Sequence, residues 1–185
     1  MEECREAGPA HVGNCFWDRL GTDDVLREAG LSDKARLLTR VMTLNRLTCP
    51  RSEHAMPSWF GNSAIADLVG AESAFRAMKS PLSERAIFHQ TQKRAEAHIF
   101  LCILAYHLLI AIEKTLRDKA IHDSWATVRD MLSSRQTVTV VLPTADRGTL
   151  MIRCSSAPEP EHIRIYDALN LPHTVMALMK TWSST

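Results

Sequence analysis

An excess of charge of either sign is missing from this sequence. Its 185 residues hold 22 Lys and Arg against 21 Asp and Glu, a formal net charge of +1. That balance excludes the global basic surface that marks many nucleic-acid binders. Paired cysteine motifs are missing too. Cys4, Cys15, Cys49, Cys102 and Cys154 are scattered, with no Cys-x-x-Cys and no Cys/His spacing that suggests zinc. This argues against a zinc framework and makes reduced thiols the expectation. Met1 is followed by Glu2, Glu3 and Cys4 rather than by a basic and then apolar leader, so no secretory signal is expected. The longest apolar run, Ile99 to Ile112, contains His107 and is too short to span a bilayer. A cytoplasmic protein without a membrane partner is therefore expected. Repeats and low-complexity tracts are absent. What remains is ordinary globular composition, 45% hydrophobic and 23% charged, in a length that suits one domain or two small ones.

Residues 10–70 read as short helices. Thr22 or Asp23 can cap one segment and Gly30 can end it. Ser32 precedes a helical stripe through Leu37, Leu38, Val41, Met42, Leu44 and Leu47, which Cys49-Pro50 stops. A turn or short helix over 52–57 and a helix from Asn62 to Val69 follow, the latter ending at Gly70. A further helix starts near Glu72 and stops around Ser80-Pro81. Gln90 to Lys119 is expected as one long helix, apolar nearly all round in its middle and so buried on several sides. Asp123 or Ser124 caps a helix reaching about Ser133. Thr137 to Leu142 and Thr149 to Arg153 read as two strands joined as a hairpin. Glu161 to Leu169 and Val175 to Met179 read as short terminal helices.

The stretch richest in possible chemistry is Glu72-Ser-Ala-Phe-Arg-Ala-Met-Lys79. Its carboxylate and its lysine lie seven positions apart, roughly two turns, on one helix face. Ile87-Phe-His-Gln90, Glu96-Ala-His-Ile-Phe-Leu101, Leu104-Ala-Tyr-His-Leu-Leu109, Ser124-Trp-Ala-Thr-Val-Arg129, Pro158-Glu-Pro-Glu-His162 and Ile165-Tyr166 follow it in order. Earlier in the chain stand Met42-Thr-Leu-Asn-Arg-Leu47 and Ser52-Glu-His-Ala-Met-Pro-Ser-Trp59. Together these segments resemble bacterial insertion-sequence transposases of the DDE type, in the insertion-sequence-four superfamily. The earlier pair is similar to the amino-terminal region of such proteins. The later series is similar to the end of their catalytic domain.

The family signature is Tyr-x2-Arg-x3-Glu-x6-Lys, and Glu72 and Lys79 match its last two elements. Its Arg would fall at Leu68 and its Tyr at Ile65, so both are absent. In the family a long ribonuclease-H-like region, carrying the two catalytic aspartates, separates the two resembling segments. Here Asp67-Leu-Val-Gly70 runs directly into Glu72. The resemblance thus implies an internally deleted or truncated copy, with the junction near residues 66–72. The implied fold is mainly α with a small β-hairpin, the remnant of a ribonuclease-H-like transposase domain lacking most of its sheet. Residues 1–70 would form a helical amino-terminal segment, and 71–185 the end of the catalytic domain with a helical and hairpin tail.

DDE chemistry needs three carboxylates around two divalent ions, one ion activating the nucleophile and the other stabilising the leaving oxygen. Mg²⁺ is the family's ion, and its octahedral oxygen coordination cannot be met by Glu72 alone. Glu72 is therefore expected as a vestigial carboxylate in an incomplete metal site, with no ion bound productively. Lys79 is a candidate DNA contact. Arg76, Lys79, Arg85, Lys93 and Arg94 form a local basic segment that could follow a DNA backbone, or equally a solvated face.

Blander readings stand beside these. His54, His89, His98 and His107 lack ligand spacing and are expected as hydrogen-bonded, partly buried side chains. Trp59 and Trp125 are expected as packing anchors. Arg36, Arg40 and Arg46 make only a partial stripe. The functional expectation is a transposase-family protein for DNA transposition that is inactive alone. Its rivals are an inhibitor that binds insertion-sequence ends or oligomerises with an intact transposase, and a decayed product without a selected role.

Overall fold

Eight helices and four strands occupy residues 2–49, 56–69, 92–144 and 148–183, the parts of the chain described by the computed structural model. Strand β1 (Glu2–Glu6) leads into α1 (Gly8–Arg19), α2 (Thr22–Glu28), α3 (Asp33–Thr48), α4 (Met56–Asn62) and α5 (Ile65–Val69). The second part runs α6 (Gln92–Asp118), α7 (Trp125–Leu132), β2 (Gln136–Thr144), β3 (Gly148–Ser155), α8 (Pro160–Leu169) and β4 (Met179–Ser183). The fold is mainly helical, as expected, with a small antiparallel sheet.

Local chemistry explains most helix ends. Ser32 accepts a hydrogen bond from the Ala35 amide at 3.4 Å and so caps α3, and Ser124 does the same for α7 through Thr127. Gly30, at φ 84°, takes the left-handed conformation that closes α2. Two glycines serve packing instead. A Cβ on Gly8 would collide with the Leu132 carbonyl and lie 2.9 Å from Arg135 Cβ, so glycine lets α1 start against the end of α7. A Cβ on Gly13 would lie 2.8 Å from Leu44 Cδ2, where α1 crosses α3.

The sheet has the order β1-β2-β3-β4. The expected hairpin is its centre, with Thr137 opposite Ser155 and Leu142 opposite Leu150. Both outer strands depart from expectation. The helix expected over Val175 to Met179 is not formed. Instead β4 pairs antiparallel with β3, Leu150 facing Trp182 and Ile152 facing Lys180. Of the expected helix only Met179 enters β4, whose residues take up the free backbone edge of β3, while Val175 to Leu178 form bends and coil in a stretch too short to hold a helix alone. At the other edge, the polar segment Glu2–Glu6 pairs with β2, Cys4 opposite Val138.

The core draws on both sides of residues 70–91. Phe16, Trp17, Leu44, Leu47 and Ile65 from the first part pack with Leu108, Ile112, Leu116, Trp125, Ile165 and Leu169 from the second. The Trp125 indole donates to the Leu47 carbonyl at 2.8 Å, so this tryptophan is the packing anchor expected of it. Helix α6 lies on α3 and corrects a second expectation. It is not buried on several sides: Leu101, Ala105, Leu108, Ile112 and Leu116 face the core, while Ile99, Phe100, Ile103, Tyr106 and Ile110 are exposed. By length and composition its span Glu96–Asp118 is also sufficient to cross a membrane, although no single uninterrupted apolar run in it is.

Candidate functional site

Glu72, Arg76, Lys79 and Arg85, as well as His54 and His89, lie outside the described residues. Lys93 and Arg94 stand in the first turn of α6, and their side chains also lie outside the description. The described carboxylates and arginines pair largely with one another.

Each of the five aspartates that precede Glu72 sits on a helix and holds an arginine. Asp18 on α1 and Asp23 on α2 both hold Arg40, at 2.7 and 3.2 Å. Asp24 holds Arg27 at 2.6 Å, and Asp33 holds Arg36 at 3.0 Å. Asp67 on α5 is gripped by Arg153 from β3, with Arg5 at 3.6 Å on its other oxygen. None of these five lies on a strand.

The same pairs account for the arginines. Arg40 also donates to the Asn14 side-chain oxygen at 2.7 Å. Arg46 donates to His98 Nδ1 at 2.7 Å. Arg19 donates to the Leu169 and Asn170 carbonyls, both at 2.9 Å, and thereby closes the end of α8. Arg117 pairs with Glu113 at 2.8 Å, Arg129 with Asp130 at 3.2 Å. The described arginines thus have partners within the protein, Arg27, Arg117 and Arg164 through surface ion pairs that leave them largely exposed.

A polar cluster that sequence reasoning missed joins α1 to α8 and the chain end. His11 is 5% exposed, Arg135 1% and Tyr166 0%. His11 Nε2 lies 3.1 Å from the Pro172 carbonyl, which can only accept, so the proton is on Nε2. Nδ1 is then bare and faces the Cys15 thiol at 3.8 Å. The Tyr166 ring meets His11 edge-on at 5.7 Å and stacks on His173 at 6.2 Å. Arg135 donates to the His173 carbonyl at 2.9 Å and to the Ser156 hydroxyl at 3.0 Å. Its Nε and the Tyr166 hydroxyl are buried without a well-formed hydrogen bond.

A cysteine beside a histidine suggests nucleophilic chemistry, but the electrostatics here oppose it. Burial pushes the His11 imidazole below its ordinary range, and the Arg135 guanidinium adds to that, against the Pro172 carbonyl. Burial, then Asp18, pushes the Cys15 thiol up, against Arg19 and Arg40. Both shifts keep the proton on sulfur, the reverse of an activated thiolate and imidazolium. Burial pushes the Tyr166 phenol up to about 12. The cluster is a structural clamp in which Arg135 is a buried cation and His11, Cys15 and Tyr166 are held in their neutral forms. A signal for it was present in the His11-x3-Cys15 spacing on one helix face, but the partner side, Arg135 and Tyr166, is separated from it by most of the chain.

Among the described residues no three His, Cys, Asp or Glu side chains gather as a metal site. The feature that stands out on the surface is apolar: the outer face of α6. No family model, curated protein or solved structure matches the chain.

Proposed function

We propose that the chain is an internally deleted remnant of a DDE transposase that does not cut DNA and acts through the contacts it retains. The observation that carries the reading is the direct succession of Asp67-Leu-Val-Gly70 into Glu72. This joins a segment resembling the amino-terminal region to one resembling the end of the catalytic domain, without the strands and aspartates between them. The placement of Asp18, Asp23, Asp24, Asp33 and Asp67 on helices, each held by arginine, supports it. Mg²⁺ would meet one family carboxylate, Glu72, and two ions cannot be held by one glutamate.

The partners of such a remnant are insertion-sequence ends or an intact transposase. Because the described arginines are engaged internally, DNA affinity falls to Arg76, Lys79, Arg85, Lys93 and Arg94. It should be weak, little dependent on sequence, and lower in salt slope by roughly 0.9 for each phosphate contact removed.

The test incubates the purified chain with duplex insertion-sequence ends and Mg²⁺ or Mn²⁺, alone and mixed with an intact transposase of this superfamily. The expected result is no cleavage or strand transfer alone and reduced strand transfer by the intact enzyme in the mixture. Metal-dependent cleavage by the chain that vanishes in Glu72→Ala would overturn the reading. An intact enzyme unaffected by the chain, with no DNA binding, would favour a decayed product over an inhibitor.

A further inference from the structure

Arg135 differs from the other arginines in what it faces. It is 1% exposed, and among the described residues no carboxylate lies within ion-pair distance of it. Its acceptors are all neutral: the Ser156 hydroxyl at 3.0 Å, the Ser155 hydroxyl at 3.5 Å and the His173 carbonyl at 2.9 Å. Asp167, the residue after Tyr166, is held by His173 at 2.7 Å instead. A guanidinium keeps its charge even when buried. Burying that charge without a counter-ion is costly, and neutral oxygens offset the cost only in part.

Two donors of this cluster also lack an acceptor. The Arg135 Nε and the Tyr166 hydroxyl are both buried without a well-formed hydrogen bond, although the two side chains are close enough to interact. The Nε–H can only donate. The phenol keeps its proton, since burial pushes it up to about 12, so Tyr166 cannot supply a negative charge. His11, edge-on to the Tyr166 ring, supplies none either, and its Nε2–H is directed to the Pro172 carbonyl.

We propose that the Arg135 guanidinium and the Tyr166 hydroxyl bind a small monovalent anion, a halide such as chloride, inside the fold. The anion accepts from the Nε–H and from the phenol O–H, and it neutralises the guanidinium. Arg135 precedes β2 and already reaches the end of β3 through Ser155 and the segment after α8 through His173. Neutralising it therefore fastens α8 and the following chain to the sheet. A water can accept both hydrogens, but it leaves the buried charge uncompensated. An oxyanion such as phosphate brings more oxygens and more charge than two donors and one cation can match. The inference stands apart from the transposase reading, since it uses neither DNA nor a divalent metal.

Denaturant unfolding of the full chain at neutral pH tests it, with sodium gluconate exchanged stepwise for sodium bromide. Constant ionic strength keeps the general screening of surface charge fixed. Above the dissociation constant of the site, the unfolding constant should fall about tenfold for each tenfold rise in bromide. Tyr166→Phe keeps the ring and removes one donor, so it should need at least about tenfold more bromide for the same shift. Anomalous scattering from wild-type crystals grown in bromide should place the ion within hydrogen-bonding reach of Arg135 Nε and the Tyr166 hydroxyl. Equal stability in gluconate and bromide would overturn the proposal. So would an undiminished bromide effect in Tyr166→Phe, which would mean an adventitious ion only. If that variant does not fold, the crystal decides: a bromide peak at the site upholds the proposal, and a water there with bromide elsewhere overturns it.

Discussion

His11 shows how much one side chain's surroundings matter. It faces Pro172, Cys15, Tyr166, Arg135 and, through Tyr166, His173, and no carboxylate stabilises its charged form. The folded imidazole therefore titrates below the ordinary 6.5. Above that value both folded and unfolded chains carry it neutral, and its contribution to stability is complete. As pH falls through 6.5 the unfolded chain takes up a proton that the folded chain refuses, so stability is lost, levelling off below the folded value. Glu6, raised by burial, acts in the opposite direction at lower pH, so the wild type must be compared with a variant. From about pH 7.5 to about 5.5 the unfolding free energy should fall, by no more than about 1.4 kcal/mol per pH unit for this one proton. His11→Gln should flatten that fall. Equal slopes in denaturant titrations of both proteins would show that His11 does not govern it.

At the scale of elements, α6 separates what a pattern says from what packing decides. Its apolar residues cover almost every angle, and nothing in Ile99, Ile103 or Leu108 as sequence tells which will be covered. The outcome depends on where α3 and α8 lie. Leu108→Ala, at a position 2% exposed, should cost about 2–5 kcal/mol. Ile103→Ala, on the open face, should change monomer stability by no more than about 0.5 kcal/mol. Leu104, half-buried at the margin of the core, should fall between them. Chemical denaturation of the three variants, at concentrations where the chain is monomeric, decides it, and similar losses at Leu108 and Ile103 would contradict the packing. Strands β1 and β4 make the same point from the other side. Glu2–Glu6 has no apolar alternation, and Met179–Ser183 reads equally as helix, yet each pairs because the hairpin leaves an open backbone edge on either side.

On the scale of the whole molecule, the described parts of the chain before and after residues 70–91 share one hydrophobic core. Phe16, Leu44 and Leu47 pack with Leu108, Ile112 and Trp125, and the Trp125 indole is tied to the Leu47 carbonyl. Such a core should unfold in one cooperative step. Tryptophan fluorescence, reporting Trp17, Trp59, Trp125 and Trp182, and helical circular dichroism should give coincident denaturant midpoints. Two separated transitions would mean that residues 2–69 and 92–183 fold as independent units.

Much of the helical framework was legible in the residues. Ser32 and Ser124 as caps, Gly30 as a stop and the β-branched runs of the hairpin act through neighbours a few positions away, and local sequence contains all their partners. The seven-residue spacing of Glu72 and Lys79 was legible only as a motif, since both residues lie outside the described residues. Tertiary structure alone decided that Asp18, Asp23 and Asp67 hold arginines, that His11, Tyr166 and Arg135 meet, and that α6 keeps one apolar face in solvent. Each of these depends on contacts between residues distant in the chain, and burial, unlike a helix cap, is a property of the whole fold.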